Sequence, residues 1–173
     1  VAEREGRPVD RDAWRAMGEI GMLGVMAPEA AGGAGLGAVE AAVVLEQLGE
    51  HLVPGPVVWS VLTAGLLDGV AAGDRVVVGL DALPLDGDPI LVHHAADLDT
   101  LVVLRAEGLF ACERSELAPP AAVTPLDPLT PVARLVDRLE SAARKAGVPV
   151  ARVEEVPGER PGTLLSVLVR IDD

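Results

Sequence analysis

Aromatic side chains are nearly absent. Trp14, Trp59 and Phe110 are the full set in 173 residues, and there is no tyrosine. Such a chain offers few faces on which bases or rings can stack. Basic charge is scarce as well: 14 Lys and Arg stand against 27 Asp and Glu, a net charge of −13. That balance repels phosphate backbones and anionic lipid, which disfavours nucleic-acid and membrane-surface roles. Cys112 is the single cysteine, so no intramolecular disulfide forms and a reducing compartment is the default. No apolar run approaches the ~18 uncharged residues of a membrane span, and VAEREGRPVD at the start has no apolar signal core. A cytoplasmic protein is the expectation.

What is present is a large supply of Ala, Val and Leu. Half of the residues are apolar, and the length suits one large or two small domains with a real core. Asp10 or Asp12 is placed to cap a first helix, on which Trp14, Met17, Ile20 and Gly21 recur at steps of three or four. A loop of Pro, Gly and Ala follows over 27–37. Its glycines lack the preceding strand and the later acidic residue of a dinucleotide site, so a tight turn between packed helices is expected. A second helix over 36–49 carries Val39, Ala42, Val43, Leu45 and Leu48, an apolar surface wide enough for burial on more than one side. Pro54 and Pro56 allow a third helix from Val57, apolar nearly all round, with Trp59 expected as a core side chain.

After Gly73 the period changes. RVVVGLD (75–81), PILVHH (89–94), TLVVLR (100–105) and LFACE (109–113) are short, β-branched runs bounded by Gly, Asp and Pro, and read as strands. The last two are joined at hairpin length. Residues 119–131 are rich in proline, whereas 132–146 has the apolar stripe of an amphipathic helix. Two further strands around PGERPG make a final hairpin. The expected fold is α+β: a helical bundle, a small antiparallel β-barrel-like domain, and a helix-plus-hairpin tail. The corresponding boundaries are 1–73, 74–131 and 132–173.

Several anchors in the front third occur in a characteristic order. They are Trp14, GMLG at 21–24, Pro28-Glu29, Gly32-Gly33, Gly35-Leu36 and Glu46-Gln47-Leu48-Gly49. This pattern resembles the amino-terminal helical domain of the flavin-dependent acyl-CoA dehydrogenases, and the resemblance extends over residues 10–135, strongest at the front. It implies FAD as cofactor, an acyl-CoA thioester as substrate, α,β-dehydrogenation as the reaction and assembly into oligomers. In that family a Thr-Glu-Pro-x-x-Gly-Ser-Asp motif meets flavin and substrate, and a carboxylate base and much of the flavin surface come from a carboxy-terminal helical domain. Here the segment after the first strand reads DALPLDGDP, in which Pro84, Gly87 and Asp88 stand at other spacings. No four-helix pattern follows, and no basic patch for the CoA phosphates is evident. No catalytic, cofactor-binding or metal residue is therefore assigned.

Other groups read as structural. His93 and His94 point to opposite faces of a strand, a poor chelate with no third ligand. Cys112 reads as a small core residue. Ser60, Ser115, Ser141 and Ser166 lack the Gly-x-Ser-x-Gly setting of a nucleophile, while Glu154-Glu155 and Asp172-Asp173 read as solvated charge. The expectation is an acyl-CoA dehydrogenase-like chain, truncated or degenerate and inactive alone. Its rivals are a non-catalytic subunit docked on a flavin-bearing acyl-CoA dehydrogenase, an active FAD enzyme in a homo-oligomer, and an apolar-ligand carrier or scaffold.

Overall fold

The computed structural model describes residues 9–81, 90–105, 108–117, 119, 121–124, 127, 130–135, 151–154 and 167–170. Three helices come first: α1 (Arg11–Glu19), α2 (Ala38–Glu50) and α3 (Val57–Thr63). Asp10 caps α1, its carboxylate accepting from the N–H groups of Asp12 and Ala13 at 3.0 and 3.1 Å. Trp14 points into the core, but Ile20 does not; α1 ends at Glu19, and the capping turn carries Ile20 out to 67% exposure. Glu40 accepts from the Gly37 N–H at 3.0 Å and so fixes the start of α2. Helix α3 is shorter than its apolar run, giving way to turns over 64–73 in which Gly69 and Gly73 take positive φ.

The strands are β1 (Val77–Asp81), β2 (Ile90–His93), β3 (Thr100–Arg105), β4 (Gly108–Glu113), β5 (Ala121–Val123), β6 (Val132–Leu135), β7 (Ala151–Glu154) and β8 (Val167–Arg170). They form a five-stranded sheet ordered β1-β3-β4-β7-β8 and a three-stranded sheet ordered β2-β6-β5. The expected β3–β4 hairpin is present, with Arg105 opposite Gly108, and β7 pairs antiparallel with β8.

Two expectations need correction, and a third, the barrel-like closure, is not met among the described residues. The first sheet is mixed, not antiparallel, because β1 runs parallel to β3. The cause is β2, which pairs in the second sheet, so the chain re-enters the first sheet at β3 in the direction of β1. Neither sheet closes into a barrel among the described residues. Finally, Val132–Leu135, expected as the first turn of a helix, is the central strand of the second sheet, held by β2 on one side and β5 on the other. The rest of that expected helix, 136–146, lies outside the described residues.

Three layers result, and β3 lies in the middle one. Alternating side chains of β1 and β3 point to opposite sides. Val78, Leu101 and Val103 pack with Val92 and Ala133 of the second sheet. Val77, Val102 and Leu109 pack with Ala27, Ala64, Val70 and Ala71 of the helical lobe. Burial on both faces is why TLVVLR is a continuous apolar run without alternation. A second cluster within the helical lobe gathers Trp14, Leu23, Val25, Leu48, Val57 and Val61. Close backbone approach joins the layers: a Cβ on Gly18 would fall 2.2 Å from the Ala72 carbonyl, and one on Gly79 only 1.9 Å from the Trp59 ring.

Candidate functional site

The glycine-rich loop is the first place to look for a phosphate cradle, since such a cradle needs free N–H groups aimed at one point. Its donors are committed elsewhere. Gly33 donates to the Pro28 carbonyl, Ala34 to Gly24, Gly35 to Ala27 and Leu36 to Val25, all between 2.8 and 3.0 Å. A Cβ on Gly33 would lie 2.1 Å from the Ala27 oxygen, so glycine here permits the loop to fold onto itself. The turn reading holds.

The seam between α3 and the first sheet is the second candidate. The Trp59 ring lies against β1 at Gly79 and packs with the cluster of Val77 and Val102. Thr63 donates its hydroxyl to the Trp59 carbonyl at 2.7 Å. Ser60 Oγ and Trp14 Nε1 are buried without a hydrogen-bond partner among the described residues. This seam is packed and apolar, and it brings no carboxylate or imidazole to a reacting centre. It positions layers; it does not move protons.

The cationic side chains were the missing element in the sequence, and their placement decides the fit to a dinucleotide or a CoA ester. Arg11 donates through Nη1 and Nη2 to both oxygens of Asp99, at 2.5 and 3.0 Å, and through Nη2 to the Asp97 carbonyl at 2.5 Å. Arg15 pairs with Asp12 and Asp74, and Arg75 with Glu113. Arg114 donates to the carbonyls of Ala95, Ala96 and Leu98. Arg105 and Arg134 stand on different sheets. The described residues thus gather no cluster of free cations for phosphate, and they do not by themselves fit FAD, the cofactor that the family resemblance implies. The DALPLDGDP segment, apart from Asp81, lies outside the described residues.

Ionisable groups report structural environments. Burial pushes the Asp99 carboxyl up, yet the Arg11 hydrogen bond, the Val76 N–H at 2.8 Å and the charges of Arg11 and Arg75 outweigh it and hold the group below its usual range. His93 ends β2 and is exposed, whereas His94, expected on the same strand, lies just past it in a turn and is buried. Burial, helped by repulsion from His93 and opposed by the Asp127 charge, lowers the His94 imidazole to about 4. His94 also takes positive φ, 54°, where its N–H donates to the Pro131 carbonyl and its own carbonyl accepts from Asp97 and Leu98. Burial and the charges of Glu116 and Glu113 push the Cys112 thiol up against the opposing charge of Arg105. No group of three or more His, Cys, Asp or Glu side chains converges as a metal site among the described residues. The Arg11–Asp99 link and the Arg114 grip were invisible in the sequence, because nothing local connects residues 11 and 99.

Known proteins give these features a context. Residues 1–71 match the family model for the acyl-CoA dehydrogenase N-terminal domain. Over 143 residues the chain is 31% identical to acyl-CoA dehydrogenase IpdE2 of Mycobacterium tuberculosis (strain ATCC 25618 / H37Rv), which covers 78% of this chain and 43% of that protein. The chain therefore spans less than half the length of the curated relative it matches. Among solved structures, a variant of the Tcur3481-Tcur3483 steroid ACAD superposes with a TM-score of 0.54 at 24% identity, over 75% of this chain and 46% of that one. The ChsE4-ChsE5 complex from Mycobacterium tuberculosis gives 0.54 at 24%, over 80% and 50%. These two likenesses concern the fold. No helix among the described residues is long and apolar enough to cross a membrane. The amino-terminal region of this chain, residues 1–71, is thus an acyl-CoA dehydrogenase N-terminal domain.

Proposed function

We propose that this chain acts as a non-catalytic, acyl-CoA dehydrogenase-type subunit in the cytoplasm. Its helical lobe docks on a flavin-bearing partner that supplies FAD, the carboxylate base and the phosphate contacts of an acyl-CoA. One observation carries this reading: Arg11, Arg15, Arg75 and Arg114 are spent on Asp99, Asp12, Asp74, Glu113 and backbone carbonyls, and the glycine loop has bonded its N–H groups at 33–36. An anionic ligand would have to displace those partners. The net charge of −13 works against it too. The two structural neighbours, one a complex and one of paired name, support a two-component arrangement.

Purification of the chain alone, and after co-expression with a full-length flavoprotein acyl-CoA dehydrogenase from its own genome, tests the proposal. The chain alone is expected to be colourless and inactive, and to co-purify with its partner as a yellow heteromer that oxidises an acyl-CoA. A lone chain that carries flavin and bleaches on addition of an acyl-CoA would make it a self-sufficient flavoenzyme and overturn the reading.

A further inference from the structure

The outward face of α2 is left uncovered by the described residues. Val39, Val43, Glu46 and Glu50 follow one another at steps of four, three and four, so they line a single helix face. All four are exposed, Val39 at 74% and Val43 at 57%, and Leu36 continues the apolar end at 49%. The opposite face, with Ala41 and Leu48, is the one that meets the core. One half of the outward face is therefore apolar and the other acidic.

Both halves are unfavourable as they stand. Exposed valines of this extent leave apolar area in water. The carboxylates sit in the last turns of a helix, where the backbone dipole is negative and cations are favoured, and no basic residue occupies the last turn. Glu46 and Glu50 enter no ion pair among the described residues; Glu50 accepts only from Gln47, at 3.1 Å. Pairing with a second copy does not repair this. It would set Glu46 and Glu50 against valines or against the same carboxylates, between molecules of charge −13 each.

We infer that the Leu36, Val39, Val43, Glu46, Glu50 face is a docking surface for a helix of a different polypeptide, whose facing side is apolar at one end and basic, Lys or Arg, at the other. The apolar half supplies burial, as in helix-in-groove recognition. The acidic half sets orientation and excludes acidic partners, since like charges across an interface are strongly disfavoured. A cation from the partner also meets the negative dipole end of the helix, where this chain places only the His51 ring, 2.8 Å from the Gln47 carbonyl. The inference rests on the heteromeric reading above and specifies the partner's contacting element.

The test uses the full chain and two synthetic helical peptides that share one leucine stripe, one ending in a Lys face and the other in a Glu face. The Lys peptide is expected to bind about tenfold or more tightly than the Glu peptide, with an affinity that falls as salt rises. Val39→Ser/Val43→Ser should abolish its binding without altering net charge. Glu46→Gln/Glu50→Gln should weaken it while raising the Tm of the isolated chain, because the unfavourable dipole interaction is removed. Equal binding of both peptides, survival of binding in the double-serine variant, or a homodimer in sedimentation that this variant dissociates would each overturn the proposal. Co-purification of the flavoprotein with the double-serine variant would sink the docking surface and leave the heteromeric reading standing. Failure of the unaltered chain to co-purify would sink that reading first.

Discussion

Arg11 in the first turn of α1 holds both carboxylate oxygens of Asp99, 88 positions later in the chain, at the entrance to β3. The same carboxylate accepts from Val76 at the entrance to β1, and the Asp99 N–H donates back to the Val76 carbonyl. One side chain thus ties the helical lobe to the two parallel strands of the first sheet.

Replacing either partner separates the two roles of this link. Asp99→Ala strips a partner from the Val76 N–H as well as from Arg11, and is expected to cost about 2 kcal/mol. Arg11→Ala should cost about 1 kcal/mol or less, since both side chains are more than a third exposed and the ion pair is screened. Urea unfolding of both single variants and the double variant measures the coupling. The folded carboxyl lies below its ordinary value, so its contribution is complete above the ordinary carboxylate range and is lost as pH falls through the lower folded value. Arg11→Ala should flatten that part of the acid profile.

His94 has the opposite protonation preference. Folding holds it neutral down to about 4, while the unfolded chain takes up the proton near 6.5. Stability should therefore fall as pH drops from about 6.5 towards 4 and level off below, a loss of about 3 kcal/mol if the whole shift is realised. His94→Asn suits the positive φ and should lack this component. Unfolding free energies of the two proteins across that window, in the Asp99-intact background, check the difference.

Gly79→Ala should destabilise by about 2–3 kcal/mol, because its methyl group would enter the Trp59 ring. Reducing the ring with Trp59→Leu makes room, so the double variant should lose less than the two single losses added together. A thermal melt of each variant measures this, and strict additivity would mean that the contact does not matter.

Cys112 is fully buried, and its thiol is pushed up by burial and neighbouring carboxylates. It should resist iodoacetamide in the native protein at neutral pH and react at an ordinary rate after unfolding in denaturant. Mass spectrometry of intact protein before and after denaturation gives the answer.

The sequence was informative where a local rule sufficed. A capping carboxylate before an apolar period marked α1, and β-branched runs between Gly, Asp and Pro marked β1 to β4. Residues 132–135, VARL, read as helix because they open the apolar stripe that runs through 132–146. Pairing with strands on both sides overrides that local pattern. Val39 and Val43 show a different limit: their period marked an apolar face, but periodicity does not say whether a neighbour arrives to cover it.

The order of residues by itself carried the family resemblance of the front third, the helices there, the four strands that follow and the acidic charge, since each lies in local motifs, spacing or composition. Tertiary structure alone decided that β1 lies parallel to β3, that Arg11 meets Asp99, and that Arg15, Arg75, Arg114 and the loop amides at 33–36 find partners within the chain. These are pairings between distant segments. Their partners are chosen by how layers pack and where unpaired donors can be satisfied, a choice that no window of sequence contains.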